Sequence, residues 1–295
     1  MIRLDWLKIM CTVNKRPVTG SPMQINGQGN IEFSYRDGRT NLFHLYQSDP
    51  IRVLFPNVSS KEIKQGIIVT TSGGLVGGDK ISLALTFGEK TSAMIMAQAA
   101  EKVYGSSGAT CLMEVDLEAN AHAWAEYLPQ ETILFDNARL NRTTRIRAAA
   151  GSQVLAGEIV VFGRKGSGET FSSGYLRDSW EVWRDNKLVW IDALLLEKNI
   201  PQVCNHPACL KNINGVATIV FISDNVGTYL DYARNLIEGL EENIRVSVSV
   251  TNGVLVARFM GEDPLNLRNS FGNFWQNFRH HVAGLPNSLP RLWHI

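Results

Sequence analysis

The carboxylates are the residues in this chain whose placement suggests chemistry. Glu131 and Asp136 lie in LPQETILFD, Glu158 in LAGEIVVFGR and Glu169 in GSGETF, while Asp79 follows the glycine-rich run in TTSGGLVGGDK. Glu158 is the odd one, because it sits inside an otherwise apolar strand-like stretch. A buried carboxylate is costly unless it is paired, protonated or used, so such a residue is a candidate for function. A pair such as Glu131 and Glu158 could serve a glycosidase, which needs two carboxylates facing each other across a sugar site. The competing reading is structural: each carboxylate caps a turn or pairs with Arg139, Arg142 or Arg164.

Two further stretches carry ligand-type residues. GGLVGGDK (73–80) has the glycine spacing of a phosphate-binding loop, but Asp79 stands where that loop needs lysine, and a carboxylate there repels a phosphate. A strand-like run follows it, whereas a dinucleotide loop opens a helix. Gly73, Gly74, Gly77 and Gly78 are therefore expected to shape tight turns. CNHPAC (204–209) sets His206 between Cys204 and Cys209, all possible ligands for a soft metal. A structural zinc site wants four ligands, and no second cluster accompanies this one, so a surface turn is the simpler expectation. No nucleophile elbow, zinc-peptidase helix or kinase signature is present.

The elements that must position these residues are mostly strands. In KISLALTF (80–87) and MEVDLEAN (113–120) apolar residues alternate with polar ones, the period of a half-buried strand. Similar runs occur at 66–71, 92–97, 143–148, 154–162, 179–184, 187–196, 216–222, 244–251 and 254–260. Asn252-Gly253 between two such runs predicts a hairpin. Three- and four-residue spacing predicts helices over 225–242 and 263–282, the second capped by Asp263 with Pro264 behind it. The aromatic stripe of that second helix reads as core. Few helices separate the strands, so the expected fold is mainly β: a large β-helix-like or β-sandwich body with a few helices toward the C-terminus. No internal repeat or low-complexity linker is visible, and one domain over 1–295 is the default.

Composition narrows the class. The 295 residues are 44% hydrophobic and 19% charged, a globular balance, and 29 Lys+Arg against 28 Asp+Glu give no support for a nucleic-acid surface. No run approaches the roughly 20 apolar residues of a spanning helix, and MIRLDWLKIM is broken by Asp5 and Lys8, so no membrane or secretory segment is expected. Cys11, Cys111, Cys204 and Cys209 make no disulfide framework, which suits a cytoplasmic protein with reduced thiols.

Longer phrases point further. GGLVGGD (73–79), QAAEKVY (98–104), YLPQETILFDNAR (127–139), GEIVVFGRKGSGETF (157–171) and PRLW (290–293), in this order, resemble the urease accessory protein family UreD, called UreH in some organisms. The resemblance is dense over 65–200 and thin before 60 and in 200–260. Two positions depart from the family's pattern: Gly157, where an aromatic residue is frequent, and Gly105, where arginine is frequent. The resemblance implies a β-helix-like body without catalytic turnover. It implies a scaffold that works with UreF, and through UreF with UreG, to deliver nickel to apo-urease. It also implies an internal channel as the nickel route, with Ni²⁺ bound transiently and no permanent cofactor. By motif position Asp79, Glu131, Asp136, Glu158 and Glu169 become channel-lining candidates. Scattered carboxylates suit a conduit, which must attract a divalent cation without holding it. Beside this stand the β-helical carbohydrate enzyme and a metal storage or sensor protein built on Cys204, His206 and Cys209.

Overall fold

The computed structural model describes residues 24–240 and 243–294. Cys11 and the N-terminal MIRLDWLKIM lie outside the described residues. The chain begins with β1 (Asn26–Arg36), β2 (Arg39–Gln47), β3 (Ile51–Leu54), β4 (Lys64–Thr70), β5 (Lys80–Phe87) and β6 (Ser92–Ala97). It continues with β7 (Glu101–Val103), β8 (Cys111–Ala119), β9 (Trp124–Leu128), β10 (Thr132–Leu134), β11 (Arg139–Ala148) and β12 (Gln153–Phe162). Then come β13 (Tyr175–Arg184), β14 (Lys187–Leu196), α1 (Ile200–Asn205) and β15 (Gly215–Ile222). The last elements are α2 (Leu230–Asn235), β16 (Ile244–Thr251), β17 (Val254–Gly261) and α3 (Pro264–Ala283).

These strands form two sheets joined as a coil. One sheet has the order β14-β13-β11-β8-β5-β1-β2, and the other β16-β17-β15-β12-β9-β6-β4-β3. From β5 to β13 the chain alternates between them, so β5, β8, β11 and β13 are parallel neighbours, as are β6, β9 and β12. The short strands β7 and β10 add a third, narrow parallel face. Antiparallel strands close both ends of each sheet. The result is the β-solenoid-like body with late helices that the period-two pattern anticipates.

The coil repeats although the sequence does not. At three stacked corners the fourth residue donates to the carbonyl of the first: Thr91 to Gly88, Ala123 to Asn120 and Ser152 to Ala149, each at 3.1 Å. Their third residues, Lys90, His122 and Gly151, all have positive φ. Only backbone geometry recurs, and lysine, histidine and glycine fill the same place, so no repeat is visible to sequence comparison.

Two cores result. Between the sheets lie Leu83, Val115, Ile146, Trp180, Val154 and Val220 among others. Outside the second sheet, α2 and α3 cover Met96, Leu155, Ile219 and Phe259 with Phe271, Phe274, Trp275 and Phe278, so the aromatic stripe is core. Strand β12 is buried on both sides. Gly157 faces the helix layer, where a Cβ would lie 2.7 Å from the Phe271 ring; an aromatic residue there would need a different α3. α3 starts as expected, with Asp263 Oδ1 accepting from the Asn266 amide at 2.9 Å and Pro264 in the first turn. The helix expected over 225–242 is instead a 3₁₀ turn, Val226–Tyr229, followed by the six-residue α2. Gly227 weakens its start and Gly239, at φ 76°, stops its end, while the apolar stripe still packs.

α3 is also locked electrostatically. Arg279, fully buried, donates through Nε to Glu126 of β9 at 3.1 and 3.2 Å and through its terminal nitrogens to Glu62. Trp124 and Trp275 complete the shell of Glu126 with their indole N–H groups at 2.7 and 3.2 Å. Arg279→Ala would leave that carboxylate buried and uncompensated. It is expected to lower stability by about 3–5 kcal/mol, measured as the shift in the urea unfolding curve.

Candidate functional site

A second charged cluster lies between the two sheets. Alternation along β11 turns Leu140, Arg142, Thr144 and Ile146 inward, and the parallel register sets Arg142 beside Asp178 of β13. On the facing sheet, β12 turns Val154, Ala156, Glu158 and Val160 toward the same space. Arg142 donates through Nε and Nη2 to the two oxygens of Asp178 at 2.8 and 2.9 Å, and through Nη1 to Thr132 Oγ1 at 3.0 Å. Thr144 donates its hydroxyl to Glu158 Oε1 at 2.8 Å. Glu158 Oε2 is 3.1 Å from Arg142 Nη2 but accepts no directed hydrogen bond. Arg142 and Glu158 are each 2% exposed.

Cavities lie on both sides of this cluster. The first, about 240 Å³, runs from Ser72, Gly73, Gly74 and the 98–102 segment inward to Tyr127, Gln130, Thr132 and Arg142. The second, about 330 Å³, is walled by Asp178, Trp180, Asp192, Thr218, Arg245, Ser247 and Arg258. Arg142 thus faces one cavity and its partner Asp178 the other. Thr218 of the second cavity is the cross-strand neighbour of Glu158. The ion cluster is a divide between two spaces of mixed polar and apolar lining inside one β body.

The electrostatics are uneven. Burial pushes the Glu158 carboxyl up; Arg142 and Thr144 oppose this, Asp178 adds to it, and the balance is about 7. Arg142 stays charged, because the attraction of Asp178 and Glu158 exceeds the burial penalty. Burial likewise raises Tyr127, with Glu158 adding to the effect. Glu101, at the first cavity, is raised by burial although Thr70 donates to it at 2.7 Å.

The other sequence candidates do not converge here. Asp79 is fully buried, and its two oxygens accept from the Ile25 and Val76 amides at 3.0 and 2.8 Å. Gly78, at φ 96°, shapes this turn, and Gly77 leaves no room for a Cβ against Ser106 and Ala109. Gly73 and Gly74 border the first cavity. Glu131 pairs with Arg268 of α3, whose other terminal nitrogen donates to the Trp293 carbonyl. Asp136 sits near the surface, where slight burial is outweighed by donation from Ser172 and Ser173 and its carboxyl is lowered. Glu169 pairs with Arg164 at 2.5 Å and accepts the Asp136 amide at 3.3 Å. Gly105 is held close to the Asp136 carbonyl, 2.8 Å from where a Cβ would stand. Glu131 and Glu158 therefore each face their own arginine and not each other.

His206 Nδ1 accepts the Ala208 amide at 3.1 Å, Cys204 lies half-buried in the last turn of α1, and Cys209 is exposed. Among the described residues no group of three or more His, Cys, Asp or Glu side chains is arranged to hold a metal ion. No described helix is long and apolar enough to cross a membrane. Sequence reasoning missed Asp178, Asp192 and Glu101. Asp178 had a signal: it alternates with Leu176, Trp180 and Val182 on the apolar face of its strand.

Two variants separate these roles. Asp79→Ala leaves two amides without acceptors and is expected to cost about 1–3 kcal/mol, read as a lower melting temperature. Glu158 takes up a proton in the folded chain between the ordinary 4.5 and about 7, so its contribution to stability is present at low pH and lost as pH rises through that window. Glu158→Gln is expected to match the wild-type melting temperature near the low end and exceed it above the high end. A constant difference between the two melting curves across that range would contradict the assignment.

The family model described as UreD urease accessory protein matches residues 26–294. The protein named Urease accessory protein UreD from Magnetococcus marinus is 41% identical over 283 residues, covering 95% of this chain and 98% of that one. Proteins of the same name from Methylobacterium sp. (strain 4-46) and Rhizobium leguminosarum bv. viciae are each 31% identical, over 95% and 93% of this chain. The match spans the coil, the charged divide and the helices that cover the second sheet, and the chain belongs to the UreD urease accessory protein family.

Proposed function

We propose that this protein is a scaffold that, with UreF and through it UreG, delivers Ni²⁺ to apo-urease. The ion crosses the space between the two sheets, entering by one of the two cavities and leaving by the other. The observation that carries this reading is the pair of cavities, one lined by Arg142 and the other by Asp178, on either side of the ion pair that Glu158 joins. Nickel accepts oxygen ligands, and two carboxylates with incomplete coordination attract it without a closed cage. Of the five carboxylates singled out by motif position, this reading assigns the route to Glu158, through its contact with Arg142, and adds Asp178 and, beside the glycine loop, Glu101. Asp79 holds that loop, and Glu131 holds α3 and the C-terminal turn. The family match supports the urease setting, and the separate pairing of Glu131 and Glu158 gives the glycosidase reading no geometry to stand on.

The test is co-expression with UreF, UreG and urease at limiting nickel. Glu158→Gln is expected to reduce the nickel content and activity of urease several-fold while UreF is still retained in a pull-down. Unchanged nickel content would overturn the route, and loss of UreF together with nickel would report misfolding of the scaffold.

A further inference from the structure

We propose that Arg142 sits in the seat through which the divalent cation passes, as a tethered resident cation that keeps the route shut until the arriving ion displaces it. The inference rests on the route proposed above and adds its gate. A guanidinium is a fixed positive charge, and a path for cations that ran past it in place would be repulsive at its narrowest point. Here that charge stands between the two carboxylates, Asp178 on one side and Glu158 on the other. A divalent ion in the same position would neutralise both.

Three features make exchange feasible. Glu158 Oε2 is buried and held only by its ionic contact with Arg142 Nη2 at 3.1 Å, with no directed hydrogen bond, so departure of the guanidinium frees it for a ligand. A satisfied structural ion pair leaves no such atom. Arg142 has a place to go: Nη1 is bonded to the Thr132 hydroxyl, and Thr132 and Gln130 line the first cavity beside it, both neutral. The cavity of about 240 Å³ has room for the swung guanidinium. Asp178 already lines the second cavity, and retreat of Arg142 toward the first leaves its carboxylate free and removes the charge from the ion's path.

The experiment is equilibrium dialysis of the full-length protein against NiCl₂. Wild type is expected to bind weakly, because its own arginine competes for the seat. Arg142→Gln is expected to bind Ni²⁺ about tenfold more tightly or better, and the gain should vanish in the Arg142→Gln/Glu158→Gln double variant. A folded Arg142→Gln protein with wild-type affinity, or a gain that survives in the double variant, overturns the proposal. If Arg142→Gln gives no cooperative thermal transition, Arg142→Lys carries the test. Its single ammonium cannot make the forked pair, so an affinity about threefold above wild type is expected, and an unchanged one overturns the gate. The gate and the route fail separately. No gain in dialysis with Glu158→Gln still lowering urease nickel removes the gate alone, whereas intact nickel delivery by Glu158→Gln removes the route.

Discussion

One guanidinium ties the two sheets together at the level where their inner faces stop being apolar. Arg142 grips Asp178 within its own sheet and reaches Glu158 in the other, and all three are withdrawn from water. Removing such charges from water costs several kcal/mol per ion, about as much as their mutual attraction returns. A hydrophobic trio of similar volume would give at least equal stability. What the charged trio provides is polarity in the middle of a β body, with a cavity lined by Arg142 on one side and a cavity lined by Asp178 on the other.

The coil makes this placement possible. In a parallel stack each inward row draws one residue from every turn, so Ile81, Met113, Arg142 and Asp178 stand side by side although far apart in sequence. A slip of one residue at any strand would turn its member of the row to solvent. The corner turns prevent this, since each hydrogen-bonds to itself and to the next corner, as Trp124 does to the Thr91 carbonyl and Gln153 to that of Ala123, both at 2.8 Å. Backbone bonds at the corners fix the side-chain row in the interior.

β5 and β8 were legible by their alternation, β6 and β12 by their apolar runs, and α3 because Asp263 and Pro264 mark its start. The short β7, β9 and β10 were missed because three to five residues carry too little pattern. Parallel pairing was not legible, because period two is the same in either direction. β1 and β2 escaped notice: β2 is partly exposed on both faces, with Phe43 and Tyr46 turned to solvent, so its burial pattern carries little alternation. At the site, Glu158 could be singled out as a carboxylate in an apolar strand, and Arg142 could be offered as its partner. Asp79 looked similar from its motif, yet its partners are backbone amides, which no residue pattern announces. Contacts between turns of the coil, such as Arg142 with Asp178, depend on register and become visible only once the strands are aligned.

The second sheet contains an internal control for the charged divide. Glu126 and Glu158 are both buried carboxylates on neighbouring strands β9 and β12, both beside a buried arginine, facing opposite sides of the same sheet. Glu126 is saturated: two indoles and the Arg279 Nε–H converge on it, and Arg279 in turn engages Glu62 and two carbonyls. Glu158 has one hydroxyl and an ionic contact, and one oxygen without a directed donor. The first arrangement can only be broken, because any displacement of Arg279 orphans several groups at once. In the proposed gate the second is the one that exchanges, because its arginine keeps the Thr132 hydroxyl as a neutral acceptor on the cavity side. The same two residue types thus make a lock on the helix side of the sheet and, in the proposed route, a gate on the inner side, and what separates them is how completely the carboxylate is satisfied.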